Sequence, residues 1–382
     1  MSRSEKKIRI LFGINKLAIG GAERLMLSQL SHIDRARFAP HIVTLLPSTM
    51  PNFDAEARAL GIPWEQFSFR SLLDIPELFR LYSFLHRGRF DVVVTNLFFT
   101  GIVLRIAAIF ARVPIILVHE VNVSTQEDGK SILLEKLLAR FTGRFVGVSN
   151  DVIAARSHAL GIPKHRFILN YSAIDLDAIR AMRSNAQREK VRRSLGCGAE
   201  DLVIVTAGRL TEQKGQRYLI EAFASLRARH PTARLVIFGE GSLRTELEAL
   251  TEKLGVHDAV SLPGAAPLSD IISVADIFVL PSLWEGLSVM LLEALAAELP
   301  IVATEVSGTK EVIKDGENGF LVSPYDSAAL ADKIALLISD PALRAKFGQA
   351  SAKAVQKFSI ESNLMTLSGV IDDVMREKHI RI

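Results

Sequence analysis

Short apolar runs of strand length alternate with helical stretches along nearly the whole chain, in two successive series. In the first series Ile8–Ile14, His41–Leu46, Asp91–Thr95, Pro114–Val118, Phe145–Val148 and Arg166–Leu169 have the look of strands. Between them, Ala22–Ser31, Phe53–Leu60, Ile75–His86, Thr100–Phe110, Ile132–Phe141 and Asn150–Leu160 carry helical patterns. Strands separated by helices of this length are joined by crossovers, and crossovers build parallel sheets. The pattern lapses over Asn170–Asp177, turns basic over Arg180–Arg193, and restarts with strands at Leu202–Ala207, Arg234–Phe238, Ala259–Leu262, Ile277–Leu280, Ile301–Thr304 and Gly319–Val322. The expected fold class is therefore α/β, with two doubly wound parallel-sheet domains. The expected divisions are 1–175, 176–358 and a C-terminal helix over 359–382 that covers an existing face, the N-terminal domain.

A length of 382 residues leaves room for two separate cores. Mean hydropathy is +0.25, yet the most apolar run, Gly101–Val118, is broken by Arg105, Arg112 and Pro114, so no membrane-spanning helix is expected. The N-terminus is basic and then apolar, but the apolar part reads as a first strand with no cleavage site after it, so export is not expected. A single cysteine, Cys197, leaves no internal disulfide and suits a reducing cytoplasm. Charge is uneven: residues 1–175 hold 22 Lys and Arg against 15 Asp and Glu, and residues 176–382 hold 24 against 27. A basic first half suits an anionic partner, such as lipid headgroups or a diphosphate-bearing acceptor, or is an ordinary solvated surface. No motif for nucleic acid accompanies it.

Open parallel sheets bind ligands beyond the carboxyl ends of their strands. In the second series those ends carry Gly208-Arg209 with Lys214-Gly215, then Gly239-Glu240-Gly241, Pro263-Gly264, Ser282–Gly286 and Glu305–Thr309. Arg209 and Lys214, with free N–H groups at Ser307-Gly308-Thr309, would suit a diphosphate; the alternatives are surface salt bridges and a plain turn. The stretch Pro281–Thr304 holds two acids, Glu285 and Glu293, eight residues apart, the second among Val289–Leu295. A helix apolar on most sides is buried, so Glu293 either needs donors, which ligand hydroxyls could supply, or lies on a narrow solvated face.

In the first series Gly20-Gly21-Ala22-Glu23 opens a helix after the first strand and is either a phosphate-facing turn or a simple helix start. His119-Glu120 closes a strand, where the imidazole is either a ligand group or a structural one. Asp175-Leu176-Asp177 has the spacing of a metal-holding pair, but its place before a helical stretch favours a helix cap. No other cluster has metal-ligand spacing, and no metal or other cofactor is expected.

With these residues collected, the chain resembles the retaining nucleotide-sugar glycosyltransferases of family 4, of the GT-B fold. The resemblance rests on the E-x7-E segment Glu285–Glu293 and the Ala-Leu-Ala-Ala-Glu-Leu-Pro-Ile-Val-Ala-Thr that follows. It is supported by Gly208-Arg209-Leu210 with Lys214-Gly215, Gly239-Glu240-Gly241, Gly308 to Glu311, Asn318–Val322 and Gly20–Glu23. Where the family often has Phe-Gly after the first motif glycine, this chain has Leu287-Ser288. The resemblance implies two Rossmann-like domains facing across a cleft, with a nucleotide-sugar donor, expected to be UDP-linked, held mainly by the second domain. By that analogy Glu285 contacts hydroxyls of the transferred sugar, Glu293 those of the ribose, and Arg209 and Lys214 the diphosphate, helped by Ser307, Gly308, Thr309, Gly20 and Gly21. Gly239, Glu240, Gly241, Gly286, Leu287 and Ser288 complete the donor side, and Pro263 to Leu268 face the base. His119 is implied as a catalytic group, and Asn96, His119, Glu120 and Asn122 as the acceptor side.

Two segments, Phe69–Phe90 and Lys130–Arg144, interleave basic and apolar residues. Such stretches suit an anionic membrane surface and a polyprenyl-diphosphate-linked glycan acceptor on the cytoplasmic face of the inner membrane. The competing expectations are a transferase of small metabolites with these helices packed on the sheet, and a nucleotide-sugar sensor without transferase activity.

Overall fold

Apolar runs rich in Val, Ile and Leu form two wholly parallel sheets in a computed structural model that describes residues 6–48, 52–121, 129–182 and 184–380. The first sheet contains β1 (Ile8–Ile14), β2 (Phe38–Thr44), β3 (Trp64–Gln66), β4 (Val92–Asn96), β5 (Ile115–Glu120), β6 (Arg144–Gly147) and β7 (Phe167–Leu169), in the order 3-2-1-4-5-6-7. The second contains β8 (Leu202–Ala207), β9 (Ala233–Phe238), β10 (Val260–Gly264), β11 (Ile277–Leu280), β12 (Ile301–Thr304) and β13 (Phe320–Val322), in the order 10-9-8-11-12-13. Both orders reverse direction once, between β1 and β4 and between β8 and β11. In a doubly wound sheet that reversal opens a crevice at the strands' carboxyl ends. Burial on both faces explains the continuous apolar runs: every residue of β4 and β11 is buried.

The chain divides into a unit of Met1–Ala173 with Ile360–Ile382 and a unit of Ile174–Ser359. The C-terminal helix Ile360–Glu377 belongs to the first unit, where Leu367, Val370, Ile371 and Val374 join the core of β1, β4 and β5. Asn363 fastens it, accepting from Gln29 at 2.8 Å and donating to the Tyr171 carbonyl at 2.7 Å.

Two local features depart from expectation. β3 escapes the pattern because it is three residues long with a polar pair, and pairing with Ile42–Thr44 on β2 makes it a strand. The basic stretch 180–193 contains the helix Asn185–Ser194, whose Arg188 and Arg192 meet Asp276 at 2.5 and 3.3 Å. Asp175 caps the helix Leu176–Met182, accepting from the Ala178 N–H at 2.9 Å, while the Asp177 side chain is 96% exposed, so the two acids act separately.

Candidate active site

The second sheet's reversal point brings together the loops after β8 and β11, and their residues lock onto one another. Gln213 donates to the Trp284 carbonyl at 3.0 Å and the Leu283 N–H donates to the Gln213 carbonyl at 2.8 Å. Gly215, at φ +61°, lies so close that a Cβ there would collide with the Pro281 carbonyl oxygen. Only glycine tolerates both the angle and the approach.

This junction sets Glu285. Its side chain is 7% exposed, and its Oε1 accepts from both the Lys214 ammonium and the Ser282 hydroxyl, the latter at 2.8 Å. Among the described residues no hydrogen bond reaches Oε2. One oxygen of the carboxylate is thus braced and the other left as an acceptor. Lys214 forms an ion pair, as one of the alternatives had it, but the pair is half sheltered rather than superficial. Arg209 is exposed, and no ion pair holds it among the described residues; its carbonyl accepts from Gln216 at 2.9 Å.

Glu293 lies on the helix Val289–Ala296, of which seven residues are buried, and is itself 4% exposed, so the solvated-face alternative does not hold. Ser288 caps that helix, its hydroxyl accepting from the Leu291 N–H at 3.3 Å, and Leu287 is buried. Their side chains serve the loop's own structure. Gly308, at φ +61°, sits against the Gly286 carbonyl so closely that a Cβ would collide with it, which joins the loop after β12 to the same cluster. The helix after it, Thr309–Val312, is a single turn, and Thr309 is buried with its hydroxyl oxygen unpartnered.

The loop after β9 is different. Gly239 and Gly241 back onto the Gly208 and Leu210 carbonyls, but Glu240 is half exposed and bound by Arg244 at 3.0 and 3.1 Å, a hydrogen bond that holds its carboxyl below the usual range. Pro263, on β10, is exposed, whereas Leu268 is 8% exposed at the start of the helix Leu268–Val274.

In the first unit Gly20 caps the helix Gly21–His32 in an extended conformation, and Glu23 in the first turn already offers a carboxylate to its positive end. Asn96 and His119 are register neighbours at the ends of β4 and β5, 1% and 5% exposed, with Nδ1 of His119 3.0 Å from Oδ1 of Asn96. Burial lowers the imidazole pKa to about 4. Glu120 turns away into an ion network: Arg156 lies 3.1 Å from Glu120 and 3.9 Å from Glu135, and Glu135 meets Arg105 at 2.5 Å. Burial raises the Glu120 pKa, with Arg156 pulling the other way. Asn122 lies outside the described residues. Sequence reasoning missed Ser282, Gln213, Arg105, Glu135 and Arg156; only Ser282, three residues before Glu285, offered a local signal.

The geometry invites comparison with known proteins. Residues 187–354 match the glycosyl transferases group 1 family and residues 19–178 match Glycosyltransferase Family 4. A D-inositol 3-phosphate glycosyltransferase of Acidothermus cellulolyticus is 30% identical over 313 residues, covering 76% of this chain and 69% of that protein. The UDP-Gal:alpha-D-GlcNAc-diphosphoundecaprenol alpha-1,3-galactosyltransferase of Escherichia coli is 25% identical over 391 residues, covering 99% and 100%. Against two further curated relatives, 37% and 31% identical, the match spans about half their length, 53% and 50%. The crystal structure of Anabaena HepE in complex with UDP-glucose shares the fold, with a TM-score of 0.86 at 23% identity over 96% of this chain and 100% of that one.

Proposed function

The chain belongs to the group 1 and family 4 glycosyltransferases, of the GT-B fold. From that premise we propose that it is a retaining hexosyltransferase, working without a metal ion, that moves a sugar from a UDP-linked donor to a hydroxyl of a glycan acceptor in cell-surface polysaccharide assembly. The observation that carries this reading is the Lys214–Glu285–Ser282 group at the second sheet's reversal point, with the unpaired Arg209 beside it on the same loop as Lys214.

Cleaving the bond between a sugar and a nucleoside diphosphate builds negative charge on the leaving phosphate and positive charge on the sugar. Arg209 and Lys214 answer the first, with the N–H groups around Ser307–Thr309, and such preorganised donors lower the barrier without a metal. Oε2 of Glu285 accepts from hydroxyls of the transferred sugar, and Glu293 from the ribose. Retention follows from front-face displacement, the leaving phosphate helping to deprotonate the acceptor; an isolable glycosyl-enzyme adduct would argue against this. The reading as a whole is tested by a panel of nucleotide sugars in thermal unfolding. A donor at a hundred times its Kd stabilises by about 2.7 kcal/mol, and a panel in which no UDP-sugar raises Tm would sink it.

The acceptor is read from the first unit's outer helices. Ile75–Gly88 neighbours Phe98–Phe110, which neighbours Gly129–Ala139. Eight of the thirteen exposed large hydrophobics among the described residues lie on these helices or beside them, including Leu73, Phe79, Phe110, Leu137 and Phe141. Arg87, Arg89, Lys136 and Arg140 are exposed among them. Arg80 is committed elsewhere, 3.1 Å from both Glu65 and Glu77. No helix among the described residues is long and apolar enough to cross a membrane. Apolar and cationic side chains together favour peripheral contact with an anionic bilayer and a polyprenyl-diphosphate-linked glycan as acceptor.

A further inference from the structure

At the first sheet's reversal point three groups on three adjacent strands leave a single consistent arrangement of protons. The Gly13 carbonyl on β1 can only accept, and it lies 3.1 Å from Nδ2 of Asn96, which must donate to it. The amide oxygen of Asn96 therefore faces Nδ1 of His119, 3.0 Å away, and can only accept in turn. Nδ1 must then carry the proton. In a neutral ring that leaves Nε2 with a lone pair, and Nε2 is buried without a partner. A buried acceptor left unmet costs about 1–3 kcal/mol, which asks for a donor in the working state.

We propose that Asn96 is a positioning residue that locks His119 in its Nδ1–H form, so that Nε2 is a fixed acceptor for a hydroxyl of the bound ligand. The ligand half rests on the glycosyltransferase reading; the tautomer half does not. A lone pair at this place selects an O–H donor and repels a phosphate oxygen, a carboxylate or a fluorine. His119 is thereby a hydroxyl reader, and neither a cation for the diphosphate nor, with its pKa lowered to about 4 by burial, a strong base near neutral pH.

The test uses the full chain with 15N-labelled histidine in long-range proton–nitrogen spectra at pH 7. The nine histidines are told apart by the signals lost in His119→Gln. The expected result is a protonated Nδ1 and a bare Nε2, kept in Asn96→Asp, which retains an oxygen facing Nδ1, and released toward Nε2–H in Asn96→Leu. An Nε2–H or doubly protonated ring in the native chain overturns the proposal, and that spectrum decides even if Asn96→Leu fails to fold. For the ligand half the probes are UDP-glucose and its deoxyfluoro analogues, one for each sugar hydroxyl. One analogue should bind the native chain about tenfold more weakly, and His119→Gln should erase most of that penalty. UDP-glucose bound with all analogues equal to it overturns the ligand half. Failure of every nucleotide sugar to bind sinks the glycosyltransferase reading and the ligand half together, while the ring spectrum still judges the tautomer alone.

Discussion

The loops after β8 and β11 and the ends of β4 and β5 occupy equivalent places in two sheets of the same winding, yet their chemistry is unlike. Around β8 and β11, a cation and a carboxylate meet near solvent and Arg209 is left without an ion partner. At β4 and β5 a neutral amide holds a neutral imidazole, and charge is withdrawn to a buried network one residue further on, where Arg105, Arg156 and Glu135 are all at most 5% exposed. Charge left near solvent can be lent to a ligand, whereas charge sealed in the interior can only hold the fold. Each substitution below breaks one side of that contrast.

The largest effect should come from the sealed charge. Glu135→Ala leaves Arg105 and Arg156 facing each other in the interior, and stranding a buried partner costs about 3–5 kcal/mol. Urea unfolding should show a loss of that size. If the network serves the fold alone, Glu135→Leu combined with Arg105→Met should recover most of the loss, because apolar packing can replace a buried pair.

The charge near solvent should behave in the opposite way. Arg209→Ala and Lys214→Ala are each expected to lower sugar transfer by about 10²–10³, the usual cost of one charge-stabilising donor. They should separate in stability. Arg209 is exposed and unpaired, so its loss should leave Tm unchanged, while Lys214→Ala also strips Glu285 of its cation and should lower Tm. Activity within threefold of native for Arg209→Ala would remove it from the site.

Both sheets and their strand-end loops were legible because buried parallel strands need continuous apolar runs and because glycine and charge gather at their ends. Glu285 and Glu293 stood out by spacing for the same reason. What stayed hidden depends on partners far along the chain. Arg188 and Arg192 read as a basic linker because Asp276, which fixes them, lies more than eighty residues away. Glu120 read as a ligand group because nothing near it announces Arg156, and Ser288 read as donor-facing because a helix cap and a ligand donor look alike in sequence.

His119 gives a smaller effect, seen in pH. Its folded pKa of about 4 lies below the ordinary 6.5, so between those values the unfolded chain binds a proton that the folded chain refuses. Stability is therefore whole above pH 6.5 and falls toward pH 4, by roughly 3 kcal/mol if the full shift is realised. Glu120, whose pKa is raised, works in the opposite direction, but it remains in a His119→Gln variant. Urea midpoints from pH 7 to 4.5 should thus fall less steeply in that variant than in the native chain. Parallel slopes would mean that the ring accepts a proton where it stands.

The smallest effect per residue concerns the first unit's outer face, where cations near solvent recur without carboxylate partners. Each Lys or Arg near an anionic bilayer contributes about 1 kcal/mol, or roughly fivefold in binding. Reversing Arg87, Lys136 or Arg140 to Glu should each cost about that factor or more on phosphatidylglycerol vesicles, and added salt should shrink the difference. Reversal at Arg80 mainly breaks its pairs with Glu65 and Glu77, so it belongs in the set as a control for structure rather than for lipid contact. Phe79→Ser and Leu137→Ser, at side chains 70% and 56% exposed, should weaken binding in a way that salt does not alter. A native chain that ignores these vesicles would leave the exposed apolar side chains without a lipid partner and turn the acceptor reading toward a small metabolite.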